Sequence, residues 1–157
     1  MGRSTRTLWV TSDVAIYSAA DQAPSIGASG TALWEIRTAS ADRAALLELS
    51  FSGSFPTSTD RFGLGRPAAI GITPTTPVTW LAEDAGSPAG SVQSALAWGT
   101  GPTAPANFFR RMTVFGTFVV IWNFPRGLVI GVSSSLVLWT ITLGTSAVVD
   151  LFGWVDE

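Results

Sequence analysis

Apolar and polar residues alternate clearly in two segments of this chain. In residues 31–38, Ala32, Trp34 and Ile36 fall on one face of an extended chain and the charged residues fall on the other. In residues 45–52, Leu47, Leu49 and Phe51 alternate in the same way with polar residues. A period of two is typical of a half-buried β-strand, because successive side chains of a strand point to opposite faces. Both segments are therefore predicted to be strands.

A short helix over residues 40–49 is the competing interpretation of the second segment. Asp42, Arg43 and the alanines that follow tolerate a helical conformation. The alternation that continues as far as Ser52 favours the strand, because a helix would scatter the apolar residues over several faces.

Further strands are predicted along the rest of the chain. They span residues 68–72, 91–98, 108–115, 117–122, 127–132, 136–142 and 147–155. The last four follow one another at short spacing, with turn-forming residues at 123–127 and 133–135. This spacing predicts an antiparallel meander or Greek key in the C-terminal third.

The middle of the chain is rich in proline and glycine. Seven of the nine prolines lie between Pro56 and Pro105, which predicts long irregular loops. Leu64, Ile72 and Leu96 lie in the same region, so it is predicted to be packed and to contain no domain boundary.

Together these elements predict an all-β protein, a jelly-roll or Greek-key β-sandwich or barrel with an N-terminal arm and long Pro/Gly-rich loops. A length of 157 residues suits one domain. Residues 1–30 are assigned to the arm and residues 31–157 to the β domain. Within the arm, residues 8–10 and 14–17 are predicted to pair with a sheet edge or a neighbouring subunit.

Charged residues make up 13% of the chain, about half of the roughly 25% found in typical proteins. So few charges favour a homo-oligomer or a docked state. With a net charge of −2 and scattered arginines, no nucleic acid partner is expected. Residues 127–149 carry no charge, but their serines, threonines and glycines favour strands and turns over a membrane-spanning helix, so no membrane partner is expected either.

The chain contains no histidine, cysteine or lysine, which leaves carboxylates as the main candidates for chemistry. No spacing selects a catalytic pair, and adjacent Glu83 and Asp84 are typical of a solvated turn. Loop carboxylates at these positions, or Asp150 with Asp156, could hold calcium, but EF-hand spacing is absent. The chain is predicted not to be an enzyme, with no catalytic residues, no cofactor and no metal site.

The aromatic residues, seven Trp and nine Phe, are the more informative feature. Those within alternating strands are expected in the core, whereas those that border the proline-rich loops could anchor a protein interface or stack on a sugar. Arg110 and Arg111 directly follow two phenylalanines and form an aromatic-plus-arginine patch. The candidate interface residues are Leu8, Trp9, Val10, Tyr17, Trp80, Trp98, Phe108, Phe109, Arg110 and Arg111.

Three segments carry a resemblance to a known family: FGLGRPAAIGITP at 62–74, FFRR at 108–111 and FPRGLVI at 124–130. With them, residues 30–157 resemble small structural proteins of tailed bacteriophages, especially head decoration or cement proteins. The resemblance implies a virion protein without catalytic residues. It would bind the major capsid protein on the outer capsid surface as a homotrimer, stabilise contacts between capsid subunits, and reach across them with its arm.

Two other functions stay open from the sequence. The tryptophans that border the loops suit a carbohydrate- or receptor-binding β-sandwich module of a virion fibre or tail. A hydrolase that uses only carboxylates is the third hypothesis, and no spacing of Asp and Glu supports it.

Overall fold

The computed structural model describes residues 15–23, 30–38, 41–142 and 148–157, except for the side chains of residues 55–58. Over these residues the chain is all-β and contains no helix, which confirms the predicted class. The strands are β1 (Ile16–Ala23), β2 (Thr31–Arg37), β3 (Ala44–Gly65), β4 (Ile72–Val78), β5 (Leu81–Ala82), β6 (Gln93–Thr100), β7 (Phe108–Ile130), β8 (Ser135–Thr142) and β9 (Val149–Asp156).

All these strands belong to one curled antiparallel sheet in the order β4-β6-β2-β8-β3-β9-β1-β5, and β7 pairs with the other edge of β3. β3 is long enough to pair with two groups of strands. Its residues 61–65 pair with β8, and its residues 45–53 pair with β9. We call the strands joined through β8 the β8 half of the sheet, and those joined through β9 the β9 half.

β3 and β7 bend together where they pass from one half to the other. Phe51 and Phe62 are eleven residues apart on β3 and would be separated by about 36 Å in a straight strand. Their ring centroids are only 5.1 Å apart. The β3–β7 register shifts between Phe55 and Thr59, and Gly116 of β7 has a φ of 70° opposite this shift. The two halves of the sheet therefore face each other.

The core lies between these facing halves. Phe51 makes edge contacts with Phe62, Phe118 and Trp122, at centroid distances of 5.1, 6.0 and 5.2 Å. Each buried large apolar side chain of this kind contributes roughly 1.5–3 kcal/mol to folding. The aromatic cluster joins both parts of β3 to the section of β7 that follows Gly116, so it holds the bend closed.

The two ends of the strand order lie close together along the chain. β4 and β5 belong to opposite halves, and only Thr79 and Trp80 separate them. The Trp80 ring stacks on Trp34 of β2 at 5.8 Å, so this connection is packed against the core. The curled sheet thus returns close to its starting edge on this side.

Several predicted strands are confirmed, and the alternative helix over residues 40–49 is not observed. Residues 31–38, 91–98, 136–142 and 147–155 correspond to β2, β6, β8 and β9 within a few residues. Residues 45–52 lie in β3, so the alternative helix over residues 40–49 is wrong. This segment is paired on both edges, with β7 and with β9, and its apolar face fills the core.

The turn predicted at residues 123–127 is wrong, because β7 continues through it. The register with β3 shifts there: Leu46 pairs with Leu128, whereas Glu48 pairs with Asn123. The extra residues of β7 bulge out, with Gly127 at a φ of 67°. The turn-forming residues therefore produce a bulge inside a strand that β3 holds in place.

The strand predicted at residues 68–72 is also wrong, since β4 begins only at Ile72. Here side-chain oxygens accept the hydrogen bonds that backbone N–H groups would otherwise donate to a neighbouring strand. The Ala69 N–H donates to Thr103 Oγ1 at 2.8 Å, and the Gly71 N–H donates to both oxygens of Glu35 at 3.1 Å.

The predicted N-terminal arm contains a strand of the sheet. β1 pairs with β9 from Ile16 to Ala23 and lies between β9 and β5, so these residues belong to the β9 half. Of the residues predicted to pair at 14–17, Ile16 and Tyr17 do so. Residues 1–14 lie outside the described residues, and their role as an arm stays a prediction.

Candidate functional site: the outer edge of β7

The outer edge of β7 has no strand partner within the described part of the chain. The two strands at the ends of the strand order are interrupted by proline or short. β4 carries Pro74 and Pro77, and β5 is only two residues long. β7 runs for 23 residues, and its segment 112–124 contains neither charge nor proline. Proteins normally keep an exposed edge short, charged or interrupted by proline, so this segment is unusual.

The side chains of β7 alternate between the core and the outer surface. Val114, Val120 and Trp122 are buried. On the opposite face, Phe115, Val119 and Ile121 are 66%, 71% and 55% exposed. We call these three residues the apolar row. Exposed apolar side chains beside an unpaired strand edge are typical of a protein interaction surface.

Arginines lie at both ends of the uncharged segment. Arg110 and Arg111 precede it and Arg126 follows it; all three are exposed, and β7 has no carboxylate. The Arg110 guanidinium lies 5.4 Å from the Phe124 ring, and the Arg111 guanidinium lies 5.6 Å from the Phe108 ring. Because β7 bends, the contact with Phe124 brings Arg110 to the same end of the uncharged segment as Arg126.

Arg66 adds a further cation from the end of β3. Its guanidinium lies 5.1 Å from the ring of Phe109, near the start of β7. The same side chain donates a hydrogen bond to the backbone carbonyl of Val129 at 2.7 Å, near the end of β7. Because β7 curls with the sheet, one arginine reaches both of its ends.

The structure brings the predicted residues Phe108, Phe109, Arg110 and Arg111 together with Arg66, which sequence reasoning missed. Phe108 is half-buried, whereas Phe109 and the two arginines are exposed. Their part in an interface stays a prediction.

The predicted residues Trp80 and Trp98 lie away from this edge. The Trp80 indole Nε1 donates to Ser94 Oγ at 3.0 Å, and its ring lines a surface cavity of about 340 Å³ with Arg37 and Gln93. Trp98 is half-buried against Gly71. Both rings support local packing, and Trp80 also borders this cavity.

Tyr17 is a core residue, which corrects its prediction as an interface residue. It is 3% exposed, and its hydroxyl donates to the carbonyl of Pro88 at 3.0 Å. The reason is that β1 lies inside the sheet instead of on an arm. Leu8, Trp9 and Val10 lie outside the described residues.

Sequence reasoning also missed the apolar row. Eight of the eleven residues from 114 to 124 are apolar, and such a run is typical of a strand buried on both faces. The run itself was the available signal. Which of its faces is exposed depends on what the rest of the chain covers.

Two carboxylates accept hydrogen bonds that link segments distant in the sequence. Glu35 is fully buried and accepts hydrogen bonds from Gly71 and from Ser135 Oγ, the latter at 2.7 Å. Glu157 accepts hydrogen bonds from the backbone and hydroxyl of Ser91 beside a surface cavity of about 590 Å³. Desolvation raises the pKa of the Asp156 carboxyl above its ordinary value.

A search of the described residues finds no cluster of three or more potential metal-ligating side chains. Nor do these residues include a helix long and apolar enough to cross a membrane. No protein-family model, curated protein or solved structure matches the chain.

Proposed function

We propose that this chain is a decoration (cement) protein of a phage head, which binds the outer capsid surface and stabilises contacts between capsid subunits. The observation that carries the proposal is the outer edge of β7, where the apolar row lies beside an uncharged segment without a strand partner among the described residues. A surface of this kind is stabilised when another protein covers it. The resemblance to cement proteins points to the major capsid protein as that partner and to the virion as its location.

The finer architecture that we propose is a jelly-roll or Greek-key sandwich or barrel with Pro/Gly-rich loops. The facing halves of the sheet and the direct connection of β4 to β5 support it. We further propose a homotrimer whose residues Leu8, Trp9 and Val10 contact capsid subunits. The low content of charged residues supports association.

We assign no enzymatic activity or cofactor to the chain. The residue types that most often act as general bases and nucleophiles, His and Cys, are absent from the sequence. The buried Glu35 uses its oxygens to hold Gly71 and Ser135, which is a structural role.

Copurification tests this function. The chain should be present in stoichiometric amounts on intact heads of the phage that encodes it, and purified chain should bind heads that lack it and raise their melting temperature. A Val119→Glu/Ile121→Glu variant should bind about tenfold more weakly or worse, because the charges would be buried at the interface. Ile72→Glu is the matched control, since Ile72 is 61% exposed on the distant β4. Absence of the chain from heads would reject the proposal.

The cavity beside Trp80 favours carbohydrate binding as a second candidate function. An aromatic ring bordered by Arg37 and Gln93 offers a stacking surface and polar groups for sugar hydroxyls. Gln93→Ala removes one of these groups without touching the core, so it should abolish a signal on a glycan array. A silent array for the unaltered chain would reject this function.

A further inference from the structure

We propose that the two surface cavities beside residues 89 and 90 form one binding site for an uncharged oligosaccharide, with one sugar unit beside Trp80 and a later unit beside Asp84. The inference rests on the second candidate function, carbohydrate binding, and adds the length and the charge of the ligand. It does not depend on capsid binding. We call the cavity of about 340 Å³ the Trp80 cavity and the cavity of about 590 Å³ the Asp84 cavity.

The boundary between the two cavities consists of Ala89 and Gly90, since each of these residues lines both. Ala89 is exposed and carries only a methyl group, and Gly90 carries no side chain. A Cβ added to Gly90 would lie 2.9 Å from the Tyr17 ring, so the backbone here packs directly onto β1. No large side chain therefore stands between the cavities at these two residues, and a ligand chain can pass over them.

The loop that carries this boundary is held in place on both sides of it. The hydroxyl of the buried Tyr17 donates to the Pro88 carbonyl at 3.0 Å, and the Ser91 N–H donates to Glu157 Oε2 at 2.8 Å. These anchors come from β1 and from the residue that follows β9. A site that is fixed before binding loses less conformational entropy when the ligand binds.

The size of the two cavities favours a ligand of several units. Each volume falls within the roughly 300–1,000 Å³ that is typical of a small-molecule site. A single sugar beside Trp80 would leave the Asp84 cavity empty. A longer chain would occupy both, and two linked contacts bind more tightly than one.

The charges of the two cavities are opposite. Among the described residues that line the Trp80 cavity only Arg37 is charged, and its Nε donates to Gln93 Oε1 at 3.2 Å. The described lining of the Asp84 cavity includes the carboxylates of Asp84 and Glu157 and no cation. Hydroxyl groups accept hydrogen bonds from a guanidinium and donate them to a carboxylate, so they suit both cavities. A chain with one sign of charge along its length would be repelled in one of them, which favours an uncharged sugar chain.

Calorimetric titration of the full chain with sugars of increasing length tests the inference. The probes are oligomers of glucose and of N-acetylglucosamine with one to four units. In at least one series the tetramer should bind about tenfold more tightly than the monomer, because only the tetramer reaches both cavities. A galacturonic acid tetramer should bind more weakly than this uncharged tetramer, since its carboxylates would lie beside those of the Asp84 cavity.

Two pairs of variants locate the bound chain. Asp84→Ala should weaken the tetramer about fivefold and leave the monomer unchanged, whereas Glu83→Ala, which removes the neighbouring exposed carboxylate, should weaken neither. Ala89→Leu should obstruct the passage and likewise affect only the tetramer, with Ala85→Leu as the matched control in the same loop. Loss of folding cannot produce this selectivity, because monomer binding reports an intact Trp80 cavity.

Equal affinity for monomer and tetramer would overturn the inference and leave carbohydrate binding in place. Tetramer binding that survives both Asp84→Ala and Ala89→Leu, or a preference for the galacturonic acid tetramer, would overturn it too. If the unaltered chain binds none of these sugars the inference fails, and a silent glycan array then rejects carbohydrate binding as well. Binding to phage heads is measured separately, so none of these results changes the test of the capsid proposal.

Discussion

At the scale of single residues, aromatic rings lie directly on glycines. A Cβ atom added to Gly63 would lie 2.5 Å from Cδ1 of Phe108, and one added to Gly71 would lie 2.4 Å from Cδ1 of Trp98. A Cβ on Gly153 would likewise lie 2.7 Å from the Trp34 ring. The glycines provide the flat backbone on which these rings pack, so the positions of glycine and aromatic residues are coupled.

Gly63→Ala should destabilise the protein by about 1–3 kcal/mol, because the new methyl group overlaps the Phe108 ring within a packed sheet. Urea unfolding measures this loss. Gly101→Ala is the control, since nothing lies within 4 Å of its added Cβ. In a Phe108→Ala background the effect of Gly63→Ala should largely vanish. An equal loss in both backgrounds would contradict the proposed overlap.

Glu35→Ala should destabilise the protein by about 3 kcal/mol, because it leaves the buried N–H of Gly71 and the hydroxyl of Ser135 without their acceptor. Hydrogen exchange should show a selective loss of protection at the Gly71 amide. Glu83→Ala removes an exposed carboxylate and should change stability by less than about 0.5 kcal/mol. Unchanged exchange at Gly71 would show that this hydrogen bond does not hold the segment.

At the scale of elements, β7 is one strand where three were predicted. A bend at Gly116 and a bulge opposite residues 46–48 replace the two expected breaks. β3 carries matching irregularities and pairs with β7 over nearly its whole length, so the pair bends as one ribbon. Residues that favour turns therefore bend β7 instead of reversing its direction, because pairing with β3 continues on both sides of them.

Gly116→Ala should destabilise the protein by about 1 kcal/mol, because Gly116 has a φ of 70°, which is unfavourable for a residue with a Cβ. Nothing lies within 4 Å of the added Cβ, so the effect isolates backbone conformation. Gly116→Asn should lose less, since Asn tolerates this region of φ. Equal losses for Ala and Asn in thermal unfolding would argue against backbone strain.

At the scale of the whole molecule, the two halves of the sheet share one core. Phe51 and Phe62 come from parts of β3 that pair with different strands, β9 and β8, yet their rings touch. Trp34 of the β8 half likewise packs against Gly153 of the β9 half. Neither half can therefore unfold without exposing the apolar face of the other.

Unfolding should accordingly be a single transition, with coincident curves from far-ultraviolet circular dichroism and tryptophan fluorescence. Phe62→Ala should lower the free energy of unfolding by about 3–5 kcal/mol and keep the curves coincident, because the cavity lies in the shared core. Phe109→Ala is the control, since Phe109 is 41% exposed. Curves that separate in the variant would mean that the halves unfold independently.

The sequence alone determined the all-β class and the positions of strands such as β2, β8 and β9, of which β9 alternates between buried residues and more exposed ones. Alternation encodes which side of a strand is buried, and this information is local. The turn at residues 133–135 was equally predictable, because a run of serines favours a turn. In the structure Ser133 adopts a φ of 49°, and the Ser134 N–H donates to the Gly131 carbonyl.

Only the tertiary structure decided the continuity of β3 and β7, the link from Glu35 to Gly71, and the exposure of Val119 and Ile121. Each depends on a partner distant in the sequence, and alternation does not specify that partner. A uniformly apolar run has the same sequence whether both of its faces are covered or only one. The candidate edge of β7 therefore became visible only when the sheet showed which strands lie beside it.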